Sequence, residues 1–118
     1  MGDRVLMQVV CGDKFSPIAY GHWSGSDAPK ILARLRERMV GRGGDCSYTF
    51  ARLVQEMTDG DDGNLSFGVW NSCAVMTETY SHGDAGVVVI DVSGGGFKCK
   101  CMGGYLVDGP DGMPIPMA

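Results

Sequence analysis

Apolar residues follow two different periods along this chain. Residues 4–11 are rich in valine and stop at the turn dipeptide Gly12-Asp13, which predicts a strand and a reversal. Residues 15–23 continue extended as the second arm of a hairpin, and Pro17, which has no N–H to give a ladder, predicts an edge position for that arm. From Ser26 or Asp27 the period changes. A capping residue, Pro29 in the first turn, Ile31, Leu32, Leu35 and Met39 at helical spacing, and Gly41 after them predict a first helix. Asp45 can cap a second helix whose inner face carries Tyr48, Phe50, Ala51, Leu53, Val54 and Met57, ending at Asp59-Gly60.

Beyond residue 64 the segments 65–70, 74–80, 87–92 and 97–102 are short, β-prone and separated by Gly, Asn or Ser, the pattern of a strand meander. Val87, Val88, Val89 and Ile90 run without alternation, so this strand is expected to be buried on both faces, at the spine of the sheet. The end of the chain, with Pro110, Pro114 and Pro116 so close together, predicts a Pro/Gly-rich tail or arm over 106–118, outside a single domain of residues 1–105. The fold class that follows is α+β, a mostly antiparallel sheet packed on one face by two consecutive helices. Leu32, Leu35, Phe50, Leu53, Val54, Val88 and Ile90 are its expected inner layer.

Composition narrows the picture. The 118 residues suffice for one modest core, and the 19 glycines imply frequent turns. No apolar run reaches the ~18 residues of a membrane span. Residues 5–11, interrupted by Gln8, are too short for a signal peptide, and Leu6 stands where a myristoylation motif needs Ser or Thr. Five cysteines without regular spacing read as reduced thiols, so a cytoplasmic setting is expected, that of the host cell if the chain is phage-encoded.

Charge is uneven: residues 1–58 sum to +2 and residues 59–118 to −6, for a net −4. Lys30, Arg34 and Arg38 recur every four residues, so they form one stripe on the first helix, with Arg42 just beyond. Guanidinium forks suit phosphate or carboxylate oxygens, whereas a solvated face balanced by Glu37 and nearby acids is the plainer alternative. The acidic total, and aromatics that do not interleave with the stripe, argue against extended nucleic acid. The two histidines, His22 and His82, each stand beside glycine at predicted element ends. With Trp23, Ser24 and Asp84 they offer an aromatic plate, donors and acceptors to a ligand approaching the backbone.

Other chemistries fit less well. Neither histidine has a metal-ligand spacing to a second ligand. A two-histidine phosphodiesterase would use paired His-x-Thr or His-x-Ser motifs; His22-Trp23-Ser24 supplies one, but Asp84 replaces the hydroxyl in the other. Cys99 and Cys101 share a strand face as small hydrophobes. Residues 59–64 lack the glycine position of a calcium loop and have Trp70 where its closing Glu belongs; neither glycine cluster, 41–44 or 94–96, carries a P-loop lysine.

His22-Trp23-x-Gly25 before the first helix, and His82-Gly83-Asp84-x-Gly86 before the valine strand, carry a resemblance over residues 18–92. The chain resembles small phage and bacterial proteins that have a His-Trp-x-Gly turn, two helices and a later His-Gly-Asp motif. It departs from them at Ser24, where Asp is frequent, and at Ser26-Asp27, where an aromatic and Pro are common. The resemblance implies a phage-type inhibitor of host defence. Such an inhibitor sequesters a nucleotide-derived signal or, in an anti-CRISPR-like manner, occludes a defence protein. The expected function is therefore non-catalytic capture of a small anionic, aromatic ligand without a cofactor, through His22, Trp23, Ser24, Arg34, Arg38, His82 and Asp84. Many β segments with edges to cover also predict self-association.

Overall fold

A computed structural model of the chain describes residues 2–59 and 66–117. Strands β1 (Val5–Cys11) and β2 (Lys14–Gly21) form the expected hairpin. Helices α1 (Ala28–Arg38) and α2 (Cys46–Thr58) follow, then β3 (Phe67–Trp70), β4 (Gly86–Asp91), β5 (Lys98–Met102), β6 (Leu106–Asp108) and β7 (Pro114–Pro116). The main sheet has the order β3-β2-β1-β4-β5, antiparallel except for β1 and β4, which run parallel. Both helices contact the sheet from one side, so the fold is α+β as expected. No helix among the described residues is long and apolar enough to cross a membrane.

The helix-side core gathers Val5, Met7 and Val9 of β1, Val88 and Ile90 of β4, and Ile31, Leu32, Leu35 and Leu53 of the helices. Phe50 and Val54, expected inside, are only half-buried, and Ala51 is exposed. The buried stripe of α2 is instead Thr49, Leu53, Glu56 and Met57, because α2 packs against α1 as well as the sheet and Glu56 turns toward that seam. Asp45 caps α2 by accepting from the Tyr48 amide at 2.9 Å.

Strand β2 is an inner strand, which corrects the edge position expected from Pro17. The proline is accommodated because the β1–β2 ladder is irregular opposite Val9, whose amide donates to Ser16 Oγ at 2.9 Å, and because β3 reaches only to Ile18. Residues 74–80 do not form the expected strand. The chain must pass from β3 at one edge to β4 on the far side of β1, so it crosses the face that the helices leave bare, with a short 3-10 turn at Glu78–Tyr80. On that face Met76 joins Leu6, Ile18, Val87 and Val89 in a second cluster.

The prolines of the C-terminal segment were expected to keep it from propagating either regular element, and that is also corrected. Its prolines sit in the short β6–β7 hairpin, and Leu106 and Met113 enter the core. This hairpin covers the outer edge of β5: the Cys99 amide donates to Gly112 O at 2.8 Å and the Cys101 amide to Asp108 Oδ1 at 2.7 Å. Proline is tolerated because each of these strands has only one partner.

One polar side chain ties the crossing segment to the sheet. Gln8, fully buried on β1, donates from Nε2 to Ser16 O at 3.0 Å and Ala74 O at 3.2 Å, and its Oε1 accepts from the Met76 amide at 2.8 Å. Removing the amide deprives two buried backbone groups, Ser16 O and the Met76 N–H, of this partner, whereas Ala74 O keeps the Ser72 hydroxyl at 2.6 Å. Gln8→Leu is expected to lower unfolding free energy by about 2 to 4 kcal/mol, at ~1 to 3 kcal/mol for each poorly satisfied group. Urea denaturation checks this, and an unchanged midpoint would contradict the role given to Gln8.

Candidate functional site

The turn carrying His22, Trp23 and Ser24 is held from below by Asp3. The Asp3 amide donates to His22 O at 2.8 Å, its carbonyl accepts from the Gly25 amide at 2.8 Å, and its carboxylate accepts from the Ser26 amide at 2.7 Å and the Tyr105 hydroxyl at 2.5 Å. Burial pushes the Asp3 carboxyl up, but the hydrogen bonds from Tyr105 and Ser26 outweigh it and hold the group below its ordinary range. A side chain at position 25 would stand 2.4 Å from Asp3 Oδ1 and 2.7 Å from Ala85 Cβ, so Gly25 is explained by close packing rather than by a ligand.

A cleft of about 570 Å³ opens where this turn meets the two helices. Trp23 and Ser24 line one wall, Lys30 and Arg34 of α1 the second, and Glu56 of α2 with Asp59 just after it the third. Ile31 and Met57, both buried, lie at its base, whereas Trp23 remains 58% exposed. Three of the expected site residues, Trp23, Ser24 and Arg34, are thus brought together.

The cationic stripe meets a carboxylate that the sequence pattern did not single out. Glu56, whose side chain is 5% exposed, accepts from Arg34 Nε at 2.8 Å and also from Arg38 Nε. Burial pushes the Glu56 carboxyl up, but the two guanidiniums more than offset that and hold it below the ordinary range. Arg38 is further occupied by Gln55 Oε1 at 3.2 Å and does not line the cleft. The terminal nitrogens of Arg34 make no hydrogen bond, and Lys30 no ion pair, among the described residues. Asp27 and Asp59 stand on the same walls, so the cleft offers cations and acceptors side by side. At the other end of the helix pair, Arg42 and Arg52 both approach the Tyr48 ring, at 6.0 and 5.0 Å from its centroid. The register that would have revealed Arg52 and Glu56 is their i,i+4 spacing on α2, a signal legible only once α1 is known to lie alongside.

The histidines belong to a different place. Tyr20 is the hub of an aromatic cluster: its ring centroid lies 6.2 Å from His22, 5.3 Å from His82 and 5.9 Å from Trp70. Tyr20 Oη and His22 Nδ1 share a hydrogen bond of 2.8 Å, and Trp23 meets the His22 ring edge-on at 4.7 Å. Trp23 therefore links the cluster to the cleft, but neither histidine lines the cleft. Asp84 is a latch. Its Oδ2 accepts from Arg4 N at 3.1 Å and Arg4 Nε at 2.8 Å, and the Arg4 guanidinium holds its carboxyl below the ordinary range. Gly83, at φ +103°, turns the chain so that this carboxylate reaches Arg4 just before β1, and Arg4 Nη2 closes the loop by donating to His82 O at 2.8 Å. Cys99 and Cys101 pack against the core, and burial pushes both thiols up to about 12. The acidic loop expected as a solvated turn, residues 59–64, lies outside the described residues after Asp59.

No family model, curated protein or solved structure matches this chain.

The Glu56 bridge makes a pH-dependent contribution. Because its folded-state pKa is depressed, the stabilisation is fully present above the ordinary Glu value of 4.5 and is lost as pH falls through the folded value. Glu56→Gln is expected to cost about 1 to 3 kcal/mol at neutral pH, for charge-assisted hydrogen bonds to half-exposed guanidiniums. The gap between the variant and the parent should close in acid. Urea titrations at neutral and strongly acidic pH measure both, and a gap independent of pH would contradict the assignment.

Proposed function

We propose that the protein is a non-catalytic binding protein that captures a small, anionic, aromatic ligand of the nucleotide class in the cleft between the Trp23 turn and the two helices. The observation that carries this reading is the convergence of Trp23, Lys30 and Arg34 on one cavity of about 570 Å³, a size suited to a small molecule. A base stacks on the exposed indole of Trp23. An anionic group meets Lys30 and the free terminal nitrogens of Arg34. Asp27 and Asp59 accept from exocyclic amino or sugar hydroxyl groups, a use for carboxylates that a plain phosphate site would not have.

Before ordering costs, a few such contacts reach the range that micromolar binding needs. Stacking contributes about 1 to 3 kcal/mol per base, and each charge-assisted contact about 1.5 to 3 kcal/mol. Micromolar affinity needs roughly 8 kcal/mol. Within the phage setting that the resemblance implies, such capture would withdraw a nucleotide-derived signal from host defence. His22 supports this reading indirectly by bracing Trp23, and His82 by packing on Tyr20, which bonds His22.

A panel of linear and cyclic nucleotides, titrated against the Trp70→Phe variant so that Trp23 alone reports by fluorescence, tests the reading. At least one member is expected to quench at micromolar concentration. Trp23→Ala and Arg34→Ala, followed by calorimetry, should each weaken binding about tenfold or more, equivalent to about 1.4 kcal/mol. Absence of binding across the panel, together with no retained small molecule in native mass spectra of protein taken from defence-activated lysate, would remove it.

A further inference from the structure

The two edges of the main sheet are treated differently. Hairpin β6–β7 caps the β5 edge, and Lys98 and Lys100 stand exposed along that strand. Strand β3 has no such cover among the described residues. In its ladder with β2, residues 66, 68 and 70 face inward, as the 3.0 Å bond from the His22 amide to Ser66 O shows. The N–H and C=O groups of Phe67 and Val69 therefore point away from the sheet, and no hydrogen bond to them is present among the described residues. Val69 and Trp70 beside them are 46% and 42% exposed.

Two further observations select the occupant. From residue 66 to residue 77 the chain carries no charge, although the whole protein carries −4, so this is a face on which two copies can meet without repulsion. Gly68, in the middle of β3, has no positive φ, and a Cβ built on it meets nothing within 4 Å. The protomer's own packing does not require a glycine there. Close approach of another backbone is one use of a strand glycine, and Gly68 leaves room for it.

We propose that β3 pairs antiparallel with β3 of a second copy about a twofold axis at Gly68, joining two five-stranded sheets into one. Phe67 of each copy then exchanges backbone hydrogen bonds with Val69 of the other, and the two Gly68 residues form the close, non-hydrogen-bonded pair. This register places Trp70 of one copy diagonally beside Gly68 of the other. It lies there on the face where Tyr20, His22, Trp23 and Gly68 outline a shallow hollow of about 360 Å³. The indole fills the hollow that the missing Cβ leaves open.

Light scattering and sedimentation of the full chain test the pairing. The unmodified protein is expected to be a dimer at micromolar concentration. Val69→Pro removes an outward N–H that β2 does not use, and Val69→Lys places like charges across the axis; each should weaken dimerisation about tenfold or more. Trp70→Ala should weaken it as well. Thermal unfolding of the variants at dilutions where all are monomeric shows whether the fold is kept, and Val69→Lys serves if the proline variant does not fold. A monomer persisting to hundreds of micromolar would overturn the proposal, as would a dimer whose affinity neither substitution at Val69 changes. The first of these outcomes, with an extended peptide protecting the β3 amides from hydrogen exchange, would assign the edge to a different protein.

Discussion

Burial of β1 on both faces is the constraint from which the rest of the architecture follows. A strand with Val5, Met7 and Val9 on one side and Leu6 and Gln8 on the other needs two covers. The helices supply one. The other has to come from the connection between β3 and β4, and an irregular segment can lie on an apolar sheet only if its backbone groups find partners there. The amide of Gln8 answers that need with two donors and one acceptor, each used. It fixes where the crossing passes and thereby where β4 enters beside β1.

The same logic of satisfying buried polarity shapes the helix seam. Glu56 is nearly enclosed and would be costly there alone; two guanidiniums from α1 make it tolerable and lock the helices in register. That use of Arg34 and Arg38 changes the meaning of the cationic stripe. Its charge is largely spent inside the protein, and what remains available to a ligand is Lys30 and the outer edge of Arg34. A structural bridge thus orients a binding group, with Glu56 acting through the arginine that it holds.

The aromatic cluster joins the remaining features. Tyr20 receives His22, His82 and Trp70 around one ring, and Trp23 leans on His22 at the mouth of the cleft. The β3 edge, the histidines and the cleft are consequently linked through the turn that carries His22 and Trp23. Pairing through β3 would brace the turn that presents Trp23, which gives the proposed assembly and the proposed capture a common mechanical element without making either depend on the other.

Local patterns determined much of this protein. The turn at Gly12-Asp13, the Pro29 start of α1, the Asp45 cap of α2 and the double burial of the valine strand were all legible, because each depends on backbone preference or on periodicity within a few residues. Trp23, Ser24 and Arg34 were named among seven candidates, but only the docking of the helices beside the Trp23 turn selects these three as neighbours on one cleft. Tertiary structure alone decided the rest. Whether residues 74–80 form a strand depends on what lies beneath them, and whether prolines 114 and 116 can sit in strands depends on having only one neighbour. Asp84 could be known as a latch only from Arg4, eighty residues away, and Glu56 as the counter-ion of the stripe only from the docking of α2 on α1. A polar side chain's role is set by the partner that burial brings to it, and that partner is chosen by packing between distant segments, not by the residues alongside it in the chain.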